Sequence, residues 1–267
     1  MLIDYHIHSE FSPDSSGSIA KIAEMAVQRG IDEIAITDHY EVNSNWGDKY
    51  NQGDYFEEIE RIRKIYDGRL TIRSGIEIGN VYLWPKEADE VLKYPYDYVL
   101  ASVHDVDGHD LYTVDYSKMD VQRVLKAYFD SLETTVEWGG FACLAHFDLP
   151  RRYIISQGFE VDLDEFEPQV ERILRKLASY GNKGLELNIS GWIGTYAAGF
   201  KDTMPSRDIL KMWREVGGKI VTIGTDSHSS KTIGQKCREA QDFLLECGFE
   251  EITTFEKHVP MMHKIKV

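Results

Sequence analysis

The sequence predicts an α/β fold built on a parallel sheet, and three observations carry that prediction. The chain has 267 residues, 42% of them hydrophobic, which suits one large domain. Seven short β-rich runs alternate with longer amphipathic stretches. Most of those runs carry His, Asp or Glu at or just beyond their C-terminal ends, where strands of an α/β barrel open onto a shared active face. The alternation alone leaves two arrangements open, a closed barrel and an open doubly wound sheet.

The runs at 2–7, 33–37, 70–77, 98–103, 141–146, 184–188 and 219–225 are the expected strands. The stretches at 18–29, 55–66, 85–92, 121–137, 163–179, 206–216 and 235–247 are the expected helices. Ser18 is placed to cap the first helix, whose apolar face carries Ile19, Ile22, Ala23 and Ala26, and Gly30 stops it. Ser206 opens the sixth helix ahead of Ile209, Leu210 and Trp213, and Gly217-Gly218 closes it. The tail "FEKHVPMMHKIKV" reads as a short closing strand or loop. No linker or internal repeat interrupts the pattern, so residues 1–267 are expected to form a single domain.

Composition narrows the function. The net charge of −15 disfavours nucleic acid and anionic membranes as partners. No run of about eighteen apolar residues suggests a membrane span, and no basic, then apolar N-terminal pattern suggests a signal peptide. The three cysteines fit no zinc finger or disulfide framework, which points to a reducing cytoplasm.

The strand ends carry the chemistry. They read His6-Ile7-His8, Thr37-Asp38-His39, Gly75-Ile76-Glu77, Ser102-Val103-His104, Leu144-Ala145-His146 and Thr225-Asp226-Ser227-His228. In an extended strand residues i and i+2 face one side, so His6 and His8 are able to grip one ion. Mixed imidazole and carboxylate donors suit zinc, iron or manganese. Together with Asp14, Glu77 and Asp226 these histidines exceed the needs of one ion and imply two or three. His109, His258 and His263 fall off the pattern and read as surface or loop residues.

The ordered motifs "HIH", "FSPDS", "ITDH", "GIEIG", "SVH", "AHFD" and "GTDSH" resemble the PHP superfamily, named for polymerase and histidinol phosphatase. The stretches "SVHDVDG", "LAHFDLPRR", "LELNISG" and "MPSRDILKMWREVGGKIVTIGTDSH" are similar to the monofunctional histidinol-phosphate phosphatase type of that superfamily. The resemblance implies a distorted (β/α)7 barrel. It also implies a trinuclear site: His6, His8, Glu77 and Asp226 on one ion, Glu77, His104 and His146 on a second, and Asp14, His39 and His228 on a third. One departure is visible: "NISG" is followed by Trp192-Ile193-Gly194, where family members often carry Leu and a basic residue.

The implied reaction is hydrolysis of a small phosphate monoester such as L-histidinol phosphate by a metal-bridging hydroxide. A PHP phosphoesterase acting on a phosphodiester or a 3′,5′-bisphosphate is the alternative. Asp226 or His228 would assist the leaving alkoxide. Arg151 or Arg152, in the loop after the fifth strand, would bind phosphate through the guanidinium fork. Ser102, Asn188, Trp192, Tyr40 and Trp46 are candidate pocket residues, and Glu41, Asp105 and Asp107 are candidate partners for a cationic amino alcohol. A homo-oligomer is compatible with all of this.

Overall fold

The computed structural model describes residues 1–41, 51–194 and 199–266, so Trp46 lies outside the described residues. The strands are β1 (Ile3–Asp4), β2 (Glu33–Ile36), β3 (His39–Glu41), β4 (Thr71–Gly79), β5 (Tyr98–Ser102), β6 (Asp105–Val106), β7 (His109–Asp110), β8 (Cys143–Leu144), β9 (Gly184–Asn188), β10 (Val221–Gly224), β11 (Glu251–Glu256) and β12 (Val259–Lys264). The helices are α1 (Ile19–Gln28), α2 (Gln52–Ile65), α3 (Pro85–Val91), α4 (Val121–Trp138), α5 (Pro150–Ser156), α6 (Glu167–Ser179), α7 (Ser190–Ile193), α8 (Arg207–Glu215) and α9 (Cys237–Glu246).

Seven strands run parallel in the order β1-β2-β4-β5-β8-β9-β10, and β3 extends the sheet along the upper half of β4. The ends of that order meet. Tyr5 N–H donates to Ile223 O at 2.8 Å, His8 N–H donates to Ser227 O at 2.9 Å, and Ile7 forms a parallel bridge with Ser227. The sheet is therefore a nearly closed seven-stranded barrel wrapped by helices, which settles the choice between barrel and open sheet. No described helix is long and apolar enough to cross a membrane.

Local chemistry explains the elements. Ser18 Oγ accepts from Lys21 N–H, and Ile19, Ile22, Ala23 and Ala26 of α1 are buried. Asp120 caps α4, and Gly139 ends it in the left-handed conformation that glycine tolerates. Strands β2, β5, β9 and β10 are buried along their length, as expected of parallel strands covered on both faces.

The strands at the seam are shorter than the sequence runs that predict them. In the first run only Ile3 and Asp4 form a ladder. Beyond them the chain stays extended but bonds alternately to both neighbours, for Ile7 N–H goes to Thr37 Oγ1 and His8 N–H to Ser227 O. The tail is a hairpin, β11 against β12, instead of a single strand or loop. Its Phe255 packs 5.2 Å from the Tyr98 ring, and Tyr98 meets Tyr5 at 5.0 Å. β1 and β5 are not neighbours in the sheet, so these rings touch through the barrel interior and fill its lower end.

Candidate metal centre

The upper rim of the barrel gathers residues that are far apart in sequence. Glu77, near the end of β4, is fully buried and stands at the centre. Its Oε2 lies 3.1 Å from His6 Nε2, 3.5 Å from His8 Nε2 and 3.0 Å from His39 Nδ1. Its Oε1 lies 3.2 Å from His104 Nε2 and 3.0 Å from His146 Nε2. One carboxylate thus faces five imidazoles.

Asp226 faces the same interior, with Oδ1 3.6 Å from His6 Nε2 and 3.4 Å from His8 Nε2. On the outer side, exposed Asp14 places Oδ2 3.0 Å from His228 Nε2 and 3.5 Å from His39 Nε2, and those two nitrogens are 3.4 Å apart. His39 therefore presents one ring nitrogen to Glu77 and the other to Asp14 and His228.

These separations fit the edges of coordination polyhedra. Bonds of about 2.1 Å arranged tetrahedrally place neighbouring donor atoms about 3.4 Å apart. Three groups have donor atoms close enough to share an ion: His6, His8 and Glu77; His39, Glu77 and His104; and His8, His39 and His228. Buried His8 Nε2 has no hydrogen-bond partner among the described residues, a costly state that an ion would relieve. The donor set and this orphaned nitrogen both suit divalent cations.

The electrostatics agree. Burial would raise the Glu77 and Asp226 carboxyls, but the surrounding histidines, and Arg152 beside Asp226, outweigh it and hold both well below the carboxylate range. Burial would lower His6, but Glu186, Glu77 and Asp226 hold it well above the imidazole range. His8 is driven down by burial and by neighbouring His228 and His39. The cluster is a set of ionised carboxylates interleaved with imidazoles that differ sharply in basicity.

Backbone strain is present here too. His146 has φ +28° and Asp226 has φ +54°, both in the region that favours glycine. Asn80, with φ +57°, accepts from the N–H groups of His104 and Asp105 through Oδ1. It ties the end of β4 to the chain beyond β5.

Beside the cluster is a cavity of about 300 Å³. Its wall includes Asp14, His39, His104, His146, Asp226 and His228 on one side, and Asp110, Tyr112, Arg152 and Tyr153 on the other. The Tyr112 and Tyr153 rings meet edge to face at 5.7 Å.

The two arginines do not lie in a loop. Pro150, at the first turn of α5, starts a helix, and adjacent helical residues point in different directions. Arg152 turns inward, is buried, and pairs with Asp226 Oδ2 at 3.0 Å while also donating to Asn188 and Ser190. Arg151 turns away and pairs with Asp148 at 2.8 Å and Asp202 at 2.6 Å. The expectation that either arginine could bind phosphate thus narrows to Arg152, the one on the cavity wall.

Other expected pocket residues also stand elsewhere. Ser102, Asn188 and Trp192 do not line the cavity. Asn188 supports Ser190 and Arg152 from below, and the Trp192 ring packs on Phe243 of α9 at 5.4 Å. Tyr40 borders a separate groove with Gln52 and Tyr94. Glu41 is buried against His104 Nδ1 and accepts from Asn80 Nδ2 at 2.9 Å. Asp105 accepts from Asn80, and exposed Asp107 faces Arg123 at 3.5 Å. None of these three acids lines the cavity; the acid that does, outside the ligand cluster, is Asp110.

Sequence reasoning missed Glu186, Asp110, Tyr112 and Tyr153. The signal for Glu186 was a charge in the middle of the apolar run "GLELN". Asp110 ends two-residue β7, Tyr112 follows it and Tyr153 lies within seven-residue α5, elements too short to show periodicity.

Comparison with known proteins fits this geometry. A family model described as "PHP domain" matches residues 4–190. The chain is 29% identical over 261 residues to histidinol-phosphatase of Lactococcus lactis subsp. lactis, covering 95% of this chain and 94% of that one. It is 30% identical over 252 residues to the probable histidinol-phosphatase of Thermotoga maritima, covering 93% and 94%. Among solved structures, histidinol phosphate phosphatase from Lactococcus lactis, complexed with zinc, L-histidinol and phosphate, superposes with a TM-score of 0.85 at 26% identity, covering 97% and 98%.

Proposed function

Because the chain belongs to the PHP domain family, we infer that it is a metal-dependent phosphatase that hydrolyses L-histidinol phosphate to L-histidinol and phosphate. The observation that carries this reading is the convergence of imidazoles from separate strand ends on Glu77, next to a cavity with a buried arginine. The enzyme uses two to three divalent ions of the zinc, iron or manganese type.

The residues that would hold them are His6, His8, Glu77 and Asp226 for the first, Glu77, His104 and His146 for the second, and Asp14, His39 and His228 for the third. When bound, such ions supply Lewis acidity toward the phosphoryl oxygens and the attacking water. Glu77 reaches both the first and second groups through different oxygens, which supports a bridging role.

Arg152 adds a fixed positive charge at the cavity wall, oriented by Asp226, Asn188 and Ser190, to receive the phosphoryl group. Asp226 and His228 line the same wall, where one of this pair would assist the leaving alkoxide. The amino alcohol lies toward Asp110, Tyr112 and Tyr153, whose carboxylate and aromatic faces suit a cation. Residues 1–267 act as one catalytic domain, since donors from both ends of the chain meet in one cluster. The three cysteines are free and buried, in keeping with a cytoplasmic enzyme.

A substrate panel with metal-reconstituted protein tests the reading. We expect kcat/KM for L-histidinol phosphate to exceed that for neutral phosphomonoesters by at least about 100-fold, the effect of a charge left unpaired in a polar pocket. Preference for a phosphodiester or a 3′,5′-bisphosphate would overturn it.

A further inference from the structure

We propose that Glu186 is a positioning residue that aligns ligands of two different ions at once, and that the missing side chain at Gly224 is what admits it. The proposal rests on the metal reading above.

Glu186 lies in the middle of β9 and is fully buried. Its Oε1 accepts from His6 Nδ1–H at 2.7 Å and from Asn188 Nδ2 at 3.2 Å. Its Oε2 accepts from the His146 backbone N–H at 2.8 Å. The first bond holds a proton on His6 Nδ1, so Nε2, which faces Glu77 and Asp226, is the nitrogen left to coordinate an ion. The second holds His146 in its left-handed backbone conformation. His6 belongs to the first donor group and His146 to the second, so one carboxylate serves both.

Space for it exists only because residue 224 lacks a Cβ. A Cβ there would sit 2.1 Å from Glu186 Oε1 and 2.5 Å from His6 Cβ. Gly224 has no positive φ, so its role is room and not backbone freedom. The same device recurs across the barrel with a narrower reach. A Cβ at Gly79 would sit 2.1 Å from Glu41 Oε2, and Glu41 accepts from His104 Nδ1–H. Glu41 hydrogen-bonds a ligand of the second group and only approaches His39 of the third, at 3.9 Å, whereas Glu186 hydrogen-bonds ligands of the first and the second.

That difference makes the proposal testable without turnover. Metal-free wild type, Glu186→Ala, Glu186→Gln, Gly224→Ala and Glu41→Ala are titrated with Mn²⁺ by calorimetry, and retained metal is counted after gel filtration. Glu186→Ala and Gly224→Ala should weaken two binding steps by about 10- to 100-fold each and leave the remaining step unchanged. Glu41→Ala should weaken one step. Glu186→Gln should fall between wild type and Glu186→Ala, because one amide oxygen is able to accept from only one of two opposed donors.

Wild-type affinity in Glu186→Ala overturns the proposal. So does an equal loss at every step with a lowered melting temperature of the metal-free protein, the mark of a purely structural role. If wild-type protein itself binds no Mn²⁺, it is the metal reading that fails.

Discussion

At the lower end of the barrel, buried Glu33 accepts from the Tyr5 hydroxyl and from Arg73 Nε at 2.8 Å, and Arg73 reaches on to Glu256 at 2.9 Å. Nearby, Asp97 accepts from Arg63, Ser74 and the Lys257 backbone. Each charge there meets its complement. At the upper end, Glu77 meets five imidazoles whose nitrogens converge on shared points, and among the described residues His8 Nε2 has no hydrogen-bond partner. Paired charges close a structure, whereas converging donors leave a position for something else to fill.

The largest test of this contrast is Glu77→Gln. The amide keeps the shape but loses the charge that both donor groups share. We expect kcat/KM to fall by at least about 10³-fold, more than 4 kcal/mol of transition-state stabilisation. Metal content should fall with it while the far-ultraviolet circular dichroism stays unchanged. A variant that kept full metal and full activity would remove Glu77 from the centre of the site.

Chelation is the next test. Each ion that binds only the native state stabilises it by about 4 kcal/mol when free metal is a thousandfold above its Kd. A domain of this size shifts by about 2–4 °C per kcal/mol, so removing one such ion should lower the melting temperature by roughly 10 °C. Scanning calorimetry with and without chelator measures it. No shift would mean that the upper cluster closes on itself as the lower one does.

The parts of this division that were legible in the sequence were those governed by strand periodicity. His6 and His8 two residues apart, and histidines at or just beyond the ends of successive β-rich runs, point to a converging rim. The supporting layer was not legible. Glu186 sits inside an apolar run and Glu41 follows His39 by two residues, and only the barrel's curvature shows which imidazole each one faces. The arginine pair was found, but only the helix begun by Pro150 separates Arg152, on the cavity, from Arg151, on Asp148 and Asp202. The lower end was the least legible. Its network depends on a C-terminal hairpin whose strands alternate weakly and whose packing on Tyr5 spans the whole chain.

Breaking the lower end should therefore affect stability and spare the chemistry. Arg73→Ala strands buried Glu33, which among the described residues keeps only the Tyr5 hydroxyl. We expect a loss of about 3 kcal/mol, the low end for breaking a buried pair because one partner remains. Urea unfolding gives the loss, and kcat and metal content of the folded fraction should match wild type. A fall in metal content would show that the two ends are coupled.

Asp4 gives the smallest effect and lies between the two schemes. It is fully buried in β1 and accepts from Thr225 N–H at 3.0 Å, Thr225 Oγ1–H at 2.7 Å and Gly234 N–H at 2.8 Å, with no cation among these donors. Burial pushes its carboxyl up from 3.8 to about 6, and those hydrogen bonds only partly offset the shift. A carboxyl raised on folding holds its proton in the native state after the unfolded chain has released it. Stability linked to Asp4 is therefore highest below its unfolded pKa and is lost as pH rises through the folded value. Comparing metal-free wild type with Asp4→Asn isolates this group from the histidines, which titrate in both proteins. Between about pH 4.5 and about pH 7, wild type should lose about 2 kcal/mol relative to the variant in urea unfolding. A pH-independent difference would mean that the three hydrogen bonds fully compensate the buried charge, which would place Asp4 with the closed, paired chemistry of the lower end.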